Sequence, residues 1–453
     1  MLVLPGWKNS FFFSDGGVGI SIDRRDTLPV LHSGDEVEVA GKSAAGLFAP
    51  IIVSDKVLVL GKAELPPAPL REYWELSSGT EDSQWVQVRG VVQAAWIAQG
   101  WGRSVLFLDI DLGAGNITAR VHDFSVSDPS HLVDAEVIVR GVCGTNFNDR
   151  RQFVGLRLFV ADMKSIAIKK AAPTDPFSLP LQALDSIRQF SPDRSLKHRV
   201  RVSGTVTYQS IDGALYAQNG SEGAYIRTAQ PTPVSVGTRI EAVGFIAAGA
   251  YSPQLHGAIF RVIGPGATPV PLPLRASQVI YTNPDGFLTS PYDSLLVRLQ
   301  GTLVERISAE TYEILAIREE ERLFRAYLDK PPGSEVLPGL GIGSQLDLTG
   351  VVSIQSDESR EPRSFELRLR SPADVVVVRA PSWWDTRHML YVLSFALFAI
   401  LGALRWAVLL RRQVSHQAEV IHKLEQEIAR RTPLQNGISW STISPEPAWE
   451  GWS

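Results

Sequence analysis

Apolar and polar residues alternate along most of this chain, and a glycine closes each of the clearest alternating runs. The pattern occurs at residues 34–41, 134–141, 237–244 and 343–350, the first of which reads GDEVEVAG. Alternation with a period of two predicts strands that bury one face. The closing glycines are 100, 103 and 106 residues apart, so the sequence predicts four copies of one domain-sized β unit.

A second recurring strand opens three of the copies, at residues 86–92, 200–206 and 297–303. Each of these strands alternates around one interior glycine, which is typical of a strand that bends at a barrel corner. With a hairpin such as 215–218 and 224–228 and a last strand such as 365–370, each copy has about five strands. The predicted fold class is mainly β, with tandem OB-like five-stranded barrels followed by one transmembrane helix and a short coiled-coil helix. A generic β-sandwich is the alternative fold for each copy.

Proline-rich joints at residues 66–70, 173–180 and 269–273 separate the copies. Each joint is followed by a short polar helix candidate, at residues 70–77, 181–190 and 275–280. Prolines restrict bending, so the copies are expected to form a semi-rigid stalk. The predicted domains are a partial barrel at 1–65 that lacks its first strand, complete barrels at 70–170, 181–267 and 275–380, a transmembrane helix at 387–411, a coiled-coil helix at 412–431 and a disordered tail at 432–453.

The most apolar stretch of the chain is residues 389–410, in which Arg405 is the only charged residue. At 1.5 Å per residue, a helix of this length crosses a hydrocarbon core of about 30 Å, so one transmembrane helix is predicted. A buried helix of a soluble protein is the alternative. The residues singled out for the membrane helix are Met389, Leu390, Phe395, Phe398, Leu401, Arg405, Trp406 and Leu410.

The flanks of this helix predict its orientation. Trp383 and Trp384 precede it, where amphipathic rings favour the headgroup level. Basic residues mark the cytoplasmic side, and only Arg387 lies on the N-terminal flank, whereas the C-terminal flank carries Arg411 and Arg412. We therefore expect a single-pass protein of the inner (cytoplasmic) membrane, with the β copies in the periplasm.

An amphipathic segment follows the apolar stretch directly. Its apolar positions recur at spacings of three and four residues, as the a and d positions of a coiled coil do, with a polar glutamine at one of them. A parallel homodimer through the transmembrane and coiled-coil helices is the expected consequence, and a solvated single helix is the alternative. The predicted seam residues are Val414, Gln417, Ile421, Leu424 and Ile428.

The charge balance argues against nucleic acid as a partner. Residues 387–453 hold 7 of the 44 Lys and Arg and 5 of the 48 Asp and Glu, which leaves the preceding residues with a net charge of −6. Binding to a phosphate backbone depends on clustered cations. Tyr208, Tyr216, Tyr225 and Arg227 are candidates for base stacking on an OB barrel, and packing within the barrels is the alternative role. The expected partners are the membrane and an unknown extracytoplasmic ligand or protein, and not nucleic acid.

The sequence predicts no catalytic, cofactor-binding or metal-binding residues. Its eight histidines are scattered without the spacing of a metal site, and no phosphate-binding loop or nucleophile elbow is present. Asp109 and Asp111 stand two residues apart on one strand. We expect them to lie on an exposed strand face or to contact a cation, and acid–base catalysis is the alternative role. The single cysteine, Cys143, excludes an intrachain disulfide framework and is expected to be a small buried apolar residue.

The N-terminal ten residues lack both a basic region and an apolar core of a signal peptide. The first β copy also begins midway, at residues that match the middle of the third copy. A barrel without its first strand leaves an unpaired edge, so we expect the natural chain to begin further upstream.

Several of these features together resemble a known class of receptor. They are the V-x-V-x-G-x-V strands, residues 365–378, the Trp383–Trp384 pair, the single membrane helix and the Arg411–Val414 sequence that follows it. Over residues 1–431 the chain resembles the sensory half of bacterial membrane-bound sensor histidine kinases and related PAS-containing signalling proteins. In that family the helix after the membrane leads into an output domain, so the resemblance implies a receptor truncated before its output.

The resemblance does not extend to the chemistry of the kinase. Ile428 stands where the phosphoacceptor box of that family has its histidine, and His422 is not followed by the residues of that box. We therefore expect no kinase activity in this chain, and predict an extracytoplasmic input region of a two-component receptor. The alternative is a membrane-anchored structural or adaptor protein whose β modules bind a partner without signalling.

Overall fold

The computed structural model of the protein describes residues 4–5, 10–24, 31–46, 49–100, 103–148, 150, 152–187, 197–267, 269–381 and 386–431. The chain divides into two compact units, Met1–Pro381 and Ser382–Ser453. The first unit contains four sheets of OB type and the second contains one long helix. The prediction of a mainly β chain of OB-like barrels followed by a long apolar helix is therefore confirmed. Trp383, Trp384 and the predicted tail at 432–453 lie outside the described residues.

Barrel 1 is an open version of the fold. Its sheet has the order β1-β2-β3-β5-β4, in which β3 and β5 are parallel, and no pairing closes β1 onto β4 among the described residues. The sequence predicted that this copy has no first strand, yet Leu4 and Pro5 pair with Phe12 and Phe11 at the position of that strand. The strands are β1 (Leu4–Pro5), β2 (Ser10–Asp15), β3 (Val18–Arg24), β4 (Asp35–Ala44) and β5 (Ile51–Lys62).

Barrel 2 is closed and follows a short helix, α1 (Tyr73–Ser77). Its strands are β6 (Trp85–Gly100), β7 (Arg103–Asp111), β8 (Asn116–Asp123), β9 (Glu136–Phe147), β10 (Phe153–Asp162) and β11 (Ile166–Lys170). The first five form the cycle β6-β7-β8-β10-β9-β6, with β8 and β10 parallel. This cyclic order, 1-2-3-5-4-1, identifies the barrel as OB-like.

Barrel 3 repeats the same cycle with β13, β14, β15, β17 and β16, in which β15 and β17 are parallel. Residues 181–190 were predicted to form a short helix, but residues 181–182 form a strand and Leu184–Ile187 one 3₁₀ turn, whereas 188–190 lie outside the described residues. The strands are β12 (Leu181–Gln182), β13 (Val200–Gln209), β14 (Leu215–Asn219), β15 (Glu222–Thr228), β16 (Thr238–Ala247) and β17 (Gln254–Pro265).

Barrel 4 closes through β21, β22, β23, β25 and β24, with β23 and β25 parallel. The helix of its joint is one turn long, α2 (Ala276–Val279). A separate two-stranded sheet pairs β19 (Tyr281–Thr282) with β20 (Leu288–Thr289). The strands of the barrel sheet are β18 (Leu272–Pro273), β21 (Leu296–Ser308), β22 (Tyr312–Glu319), β23 (Arg322–Asp329), β24 (Gln345–Ser356), β25 (Pro362–Leu369) and β26 (Val375–Arg379).

The glycines inside the opening strands mark places where neighbouring strands approach closely. A Cβ atom on Gly90 would lie 2.4 Å from the Asp111 carbonyl oxygen, and one on Gly301 would lie 2.4 Å from the Ile317 side chain. Real Cβ atoms do not approach other atoms so closely, so only glycine fits at these bends. The alternating apolar residues of each closed barrel point inward, as Val86 and Val88 do, and are buried.

The second unit contains helix α3 (Thr386–Arg431), which is 46 residues long and corresponds to a rod of about 69 Å. The sequence predicts that the coiled-coil segment continues the membrane helix, with the change between them at 411/412, and the observed helix runs through that position without a break. Within the described part of the chain, α3 is the one helix long and apolar enough to cross a membrane. Its side chains are exposed throughout wherever their burial is described.

Candidate functional site

The tyrosines considered for base stacking lie at the contact between barrels 3 and 4, which we call joint 3. Tyr208 and Tyr216 are only 4% and 7% exposed, and they pack with Tyr225 against Leu296 and Val351 of barrel 4. The Tyr208 hydroxyl group donates a hydrogen bond of 2.5 Å to Asp329. Burial, reinforced by this carboxylate, raises the pKa of Tyr208. These rings therefore act as packing between barrels, and Tyr208 and Tyr216 are not accessible for stacking.

The contact between barrels 1 and 2, joint 1, is built from the same positions as joint 3. Ser83 and Ser294 each precede the opening strand of a barrel, and both have a positive φ of 65°. A glycine of the preceding barrel lies against each of them: a Cβ atom on Gly19 would be 2.0 Å from the Ser83 carbonyl oxygen, and one on Gly223 would be 2.3 Å from the Ser294 carbonyl oxygen.

A hydrogen bond within the following barrel repeats beside each of the two joints. Asp82 accepts a hydrogen bond of 2.8 Å from the Thr145 backbone amide, and Asp293 accepts one of 2.9 Å from the amide of Ile354. The two carboxylates each stand one residue before the serine of their joint. Joints 1 and 3 are therefore two copies of one interface.

Joint 2, between barrels 2 and 3, is polar instead. Asp134 is buried and accepts a hydrogen bond from the Arg199 amide, and its Oδ1 atom lies 2.9 Å from His198 Nδ1. Asp111 accepts a hydrogen bond of 3.0 Å from the Lys197 amide. Asp109 is half-buried nearby, and burial raises its pKa while the Asn116 side chain opposes the shift by donating a hydrogen bond. Of the two aspartates considered above, Asp109 thus lies on a strand face beside Asn116, and Asp111 takes part in the contact between the barrels.

Joint 1 contains a cleft of about 520 Å³. Ligand pockets in proteins commonly have volumes of about 300–1,000 Å³ and combine apolar walls with a few polar groups. Three phenylalanine rings contribute to these walls, and Asp23 and Arg157 contribute charged groups. The phenylalanines are Phe12 of barrel 1 and Phe147 and Phe159 of barrel 2.

Arg157 of barrel 2 carries the positive charge that lines this cleft. The Arg157 guanidinium lies over the Phe159 ring, 6.0 Å from its centroid. Burial, together with the neighbouring charge of Arg120, lowers the pKa of Arg157 to about 10, and the carboxylate of Asp82 opposes this shift. Arg157 therefore remains charged near neutral pH.

The predicted helix residues all lie on α3. The membrane positions from Met389 to Leu410 and the seam from Val414 to Ile428 are on one continuous helix with exposed side chains, and the spacing of the seam is preserved. No group of three His, Cys, Asp or Glu side chains that could hold a metal ion occurs among the residues described. Cys143 is buried as expected, and burial raises its pKa to about 12.

Sequence reasoning did not find the cleft residues. Asp23 and Arg157 are far apart in the chain and carry no motif. A signal was nevertheless available in the repeats, because Ser21 stands where the third copy has Tyr225. A small residue replacing a large one at an interface indicates an opening.

No protein-family model matches the sequence, and a search of curated proteins gives no match. Among solved structures, the chain is similar to the aspartyl tRNA synthetase from Entamoeba histolytica (16% identity, 20% of each chain, TM-score 0.16). It is also similar to the asparaginyl-tRNA synthetase from Pyrococcus horikoshii complexed with asparaginyl-adenylate (24% identity, 21% of each chain, TM-score 0.16). The match to a replication protein A heterotrimer bound to ssDNA covers 69% of this chain and 96% of that one, at 9% identity and a TM-score of 0.20.

The chain spans about a fifth of the length of the two synthetases. The OB assignment rests on the strand order and closure of the barrels. The fold and the joints together define the class of this protein: a tandem array of OB-like β-barrels followed by one long helix that is apolar enough to span a membrane.

Proposed function

We propose that this chain is the input region of a bacterial membrane-bound receptor of the two-component type. In this proposal the barrels lie in the periplasm, α3 crosses the inner membrane once, and its C-terminal half carries a signal to a cytoplasmic output domain. The observation that carries the proposal is the continuity of α3 over 46 residues. About 20 residues suffice to cross a bilayer, so the same helix extends well beyond it.

The extension has the pattern expected of a dimer interface. Val414, Ile421 and Ile428 alternate with Gln417 and Leu424 at spacings of three and four residues, as a and d positions do. Because the extension continues the membrane helix, it needs no separate nucleation step. A shift or rotation of the membrane helix would therefore be transmitted directly to the dimer contact.

Position-specific labelling tests the orientation. In a Cys143→Ser background, Ser221→Cys places a thiol on an exposed turn of barrel 3 and Glu419→Cys places one on the helix extension. A membrane-impermeant maleimide is expected to label position 221 in intact spheroplasts, and position 419 only after the membrane is permeabilised. Labelling of position 419 alone in intact spheroplasts would contradict the periplasmic location.

Cross-linking tests the dimer. Gln417→Cys lies on the predicted seam and is expected to form an intermolecular disulfide under mild oxidation, whereas Glu419→Cys, on the opposite face of the helix, serves as the matched control. Equal cross-linking at both positions would contradict a specific parallel dimer.

The competing proposal is a membrane-anchored adaptor that binds an envelope partner without signalling. The two proposals differ in whether the rotational phase of α3 matters to a domain joined to its C-terminal end. In a chimera that joins Arg431 to the catalytic half of a sensor kinase, inserting one alanine after Arg412 rotates the rest of the helix by about 100°. A receptor is expected to change its kinase output, and unchanged output for every insertion of one to three alanines would favour the adaptor.

The proposal retains the expectation that nucleic acid is not a partner. The residues before 387 carry a net charge of −6, and the strongest stacking candidates, Tyr208 and Tyr216, are buried at joint 3. Absence of binding to single-stranded DNA in a filter assay, at low as well as high salt, would agree with this, because binding driven by phosphates is strongest at low salt.

A further inference from the structure

Joint 1 and joint 3 share their construction, but they differ in how their interior is filled. In joint 3, Tyr216 pairs across the strands with Tyr225, and the two rings contact each other with centroids 5.0 Å apart. In joint 1 the same cross-strand pair is Phe12 and Ser21. The serine lines the cleft, so the space that a tyrosine ring fills in joint 3 is open in joint 1.

The opposite wall of the cleft also differs between the two joints. In joint 3, Glu366 pairs with Ser353. In joint 1 the corresponding pair is Arg157 and Gly144. A Cβ atom on Gly144 would lie 2.7 Å from the Phe159 ring and 3.1 Å from the Arg157 side chain, so glycine is needed to accommodate these two residues.

The charged groups of the cleft come from both barrels. Arg157 belongs to barrel 2, and Asp23 belongs to barrel 1, where it projects from β3 on the same face as Ser21. Asp82 also lines the cleft, and its Oδ1 atom accepts a hydrogen bond from the backbone amide of Thr145, which belongs to the same barrel. The cleft thus places the Arg157 guanidinium and the carboxylates of Asp23 and Asp82 between aromatic walls.

We propose that this cleft is a binding site for a small zwitterion of the amino-acid type with an apolar side chain. The ligand's carboxylate binds Arg157, which offers a planar pair of donors suited to a carboxylate. Its ammonium group lies towards Asp23, and its side chain packs among Phe12, Phe147 and Phe159. Because the ligand contacts both barrels, its binding stabilises joint 1 in one geometry.

This site does not depend on the membrane orientation proposed above, and it can be tested with the full chain in detergent micelles. The probes are the free L-amino acids found in proteins, together with benzoate as a simple carboxylate and phenethylamine as a simple amine. Binding is measured by isothermal titration calorimetry, and the melting temperature of the protein with each probe provides the first screen. We expect at least one apolar amino acid to bind more tightly than benzoate or phenethylamine.

Three variants separate the contributions. Ser21→Tyr introduces the tyrosine that joint 3 carries at this position and is expected to abolish binding while leaving the joint packed. Arg157→Gln is expected to weaken amino-acid binding about tenfold or more, because a charge-assisted hydrogen bond is lost. Asp23→Asn is expected to weaken binding of amino acids and leave that of benzoate unchanged. Ser221→Tyr, on an exposed turn, is the control for Ser21→Tyr.

Two kinds of binding result would overturn the proposal. If no probe binds, or if a bound amino acid retains its affinity in Ser21→Tyr, the cleft is not this site. If benzoate alone binds and Asp23→Asn has no effect, the ligand is an anion and the assignment to a zwitterion is wrong. Circular dichroism of each variant shows whether it is folded, and Ser21→Tyr decides the question if Arg157→Gln does not fold.

Discussion

The glycine of joint 3 provides the sharpest test of how the barrels are held together. Gly223→Ala adds one methyl group that would lie 2.3 Å from the Ser294 carbonyl oxygen and 2.6 Å from its carbonyl carbon. Both are backbone atoms, so no side-chain rotation relieves the clash. The two barrels must separate by about 1 Å for the methyl group to reach ordinary van der Waals contact.

The size of the effect depends on the side chains packed behind this contact. Leu296 and Val351 are 1% and 0% exposed, and they pack against the rings of Tyr208 and Tyr216. Forcing extra volume into a packed interface typically costs about 1–3 kcal/mol. Local opening of joint 3 is therefore expected to become easier by that amount, which corresponds to about 5- to 150-fold faster hydrogen exchange.

The assay is hydrogen–deuterium exchange of the full chain in detergent, followed by mass spectrometry of peptides from β21 and β24. Gly61→Ala is the matched control, because Gly61 lies in a strand and a Cβ atom there meets nothing within 4 Å. Peptides of barrel 2 should be unaffected by Gly223→Ala. Equal exchange of β21 in Gly223→Ala and Gly61→Ala would refute the argument that close backbone approach holds joint 3 together.

Three further predictions concern single side chains. Glu313 is fully buried and bound to Lys330, so Glu313→Gln should destabilise barrel 4 by about 3–5 kcal/mol in urea unfolding. Burial alone would raise the pKa of Glu313, but the hydrogen bonds to its carboxylate lower that pKa overall. The contribution of Glu313 to stability should therefore be present above about pH 4.3 and be lost as the pH falls through the lowered pKa. Glu313→Gln should not show this loss of stability. Cys143 should react with iodoacetamide only after unfolding, since burial raises its pKa to about 12; rapid alkylation of the native protein would contradict this. Tyr208→Phe removes the hydroxyl group that donates to Asp329, so the free energy of opening joint 3 should fall by about 1.5–3 kcal/mol and hydrogen exchange there should become faster. Equal exchange rates in Tyr208→Phe and the unchanged protein would show that this hydrogen bond does not stabilise the joint.

Much of the fold follows from local patterns in the sequence. Strand alternation and the interior glycines were sufficient to predict OB-like barrels, because both reflect constraints inside one strand or between neighbouring strands. The apolar run and the seam similarly predicted a helix over residues 387–431, and the helix observed is Thr386–Arg431. The short pairing of Leu4 and Pro5 with β2 was not predicted, since two residues carry no periodic signal.

The contacts between barrels could not be predicted in the same way. Tyr216 offered two roles, stacking on a ligand or packing, and only the three-dimensional contact with Leu296 distinguishes them. The cleft depends on Ser21 and Arg157, which belong to different barrels and meet only because joint 1 forms. A pattern within one repeat does not encode what the next repeat places against it.

The three joints indicate how the tandem array is organised. Joints 1 and 3 are apolar contacts with a glycine against the backbone of the next barrel, whereas joint 2 is held by Asp111 and Asp134 through hydrogen bonds to residues 197–199. The carboxylates of Asp111 and Asp134 are buried, so opening joint 2 would break these hydrogen bonds. Because joints 1 and 3 share one construction, the barrels form two similar pairs, 1–2 and 3–4, and the interface that is filled by tyrosines in one pair contains the cleft in the other. In such an arrangement, a ligand that fills the cleft makes the first pair resemble the second.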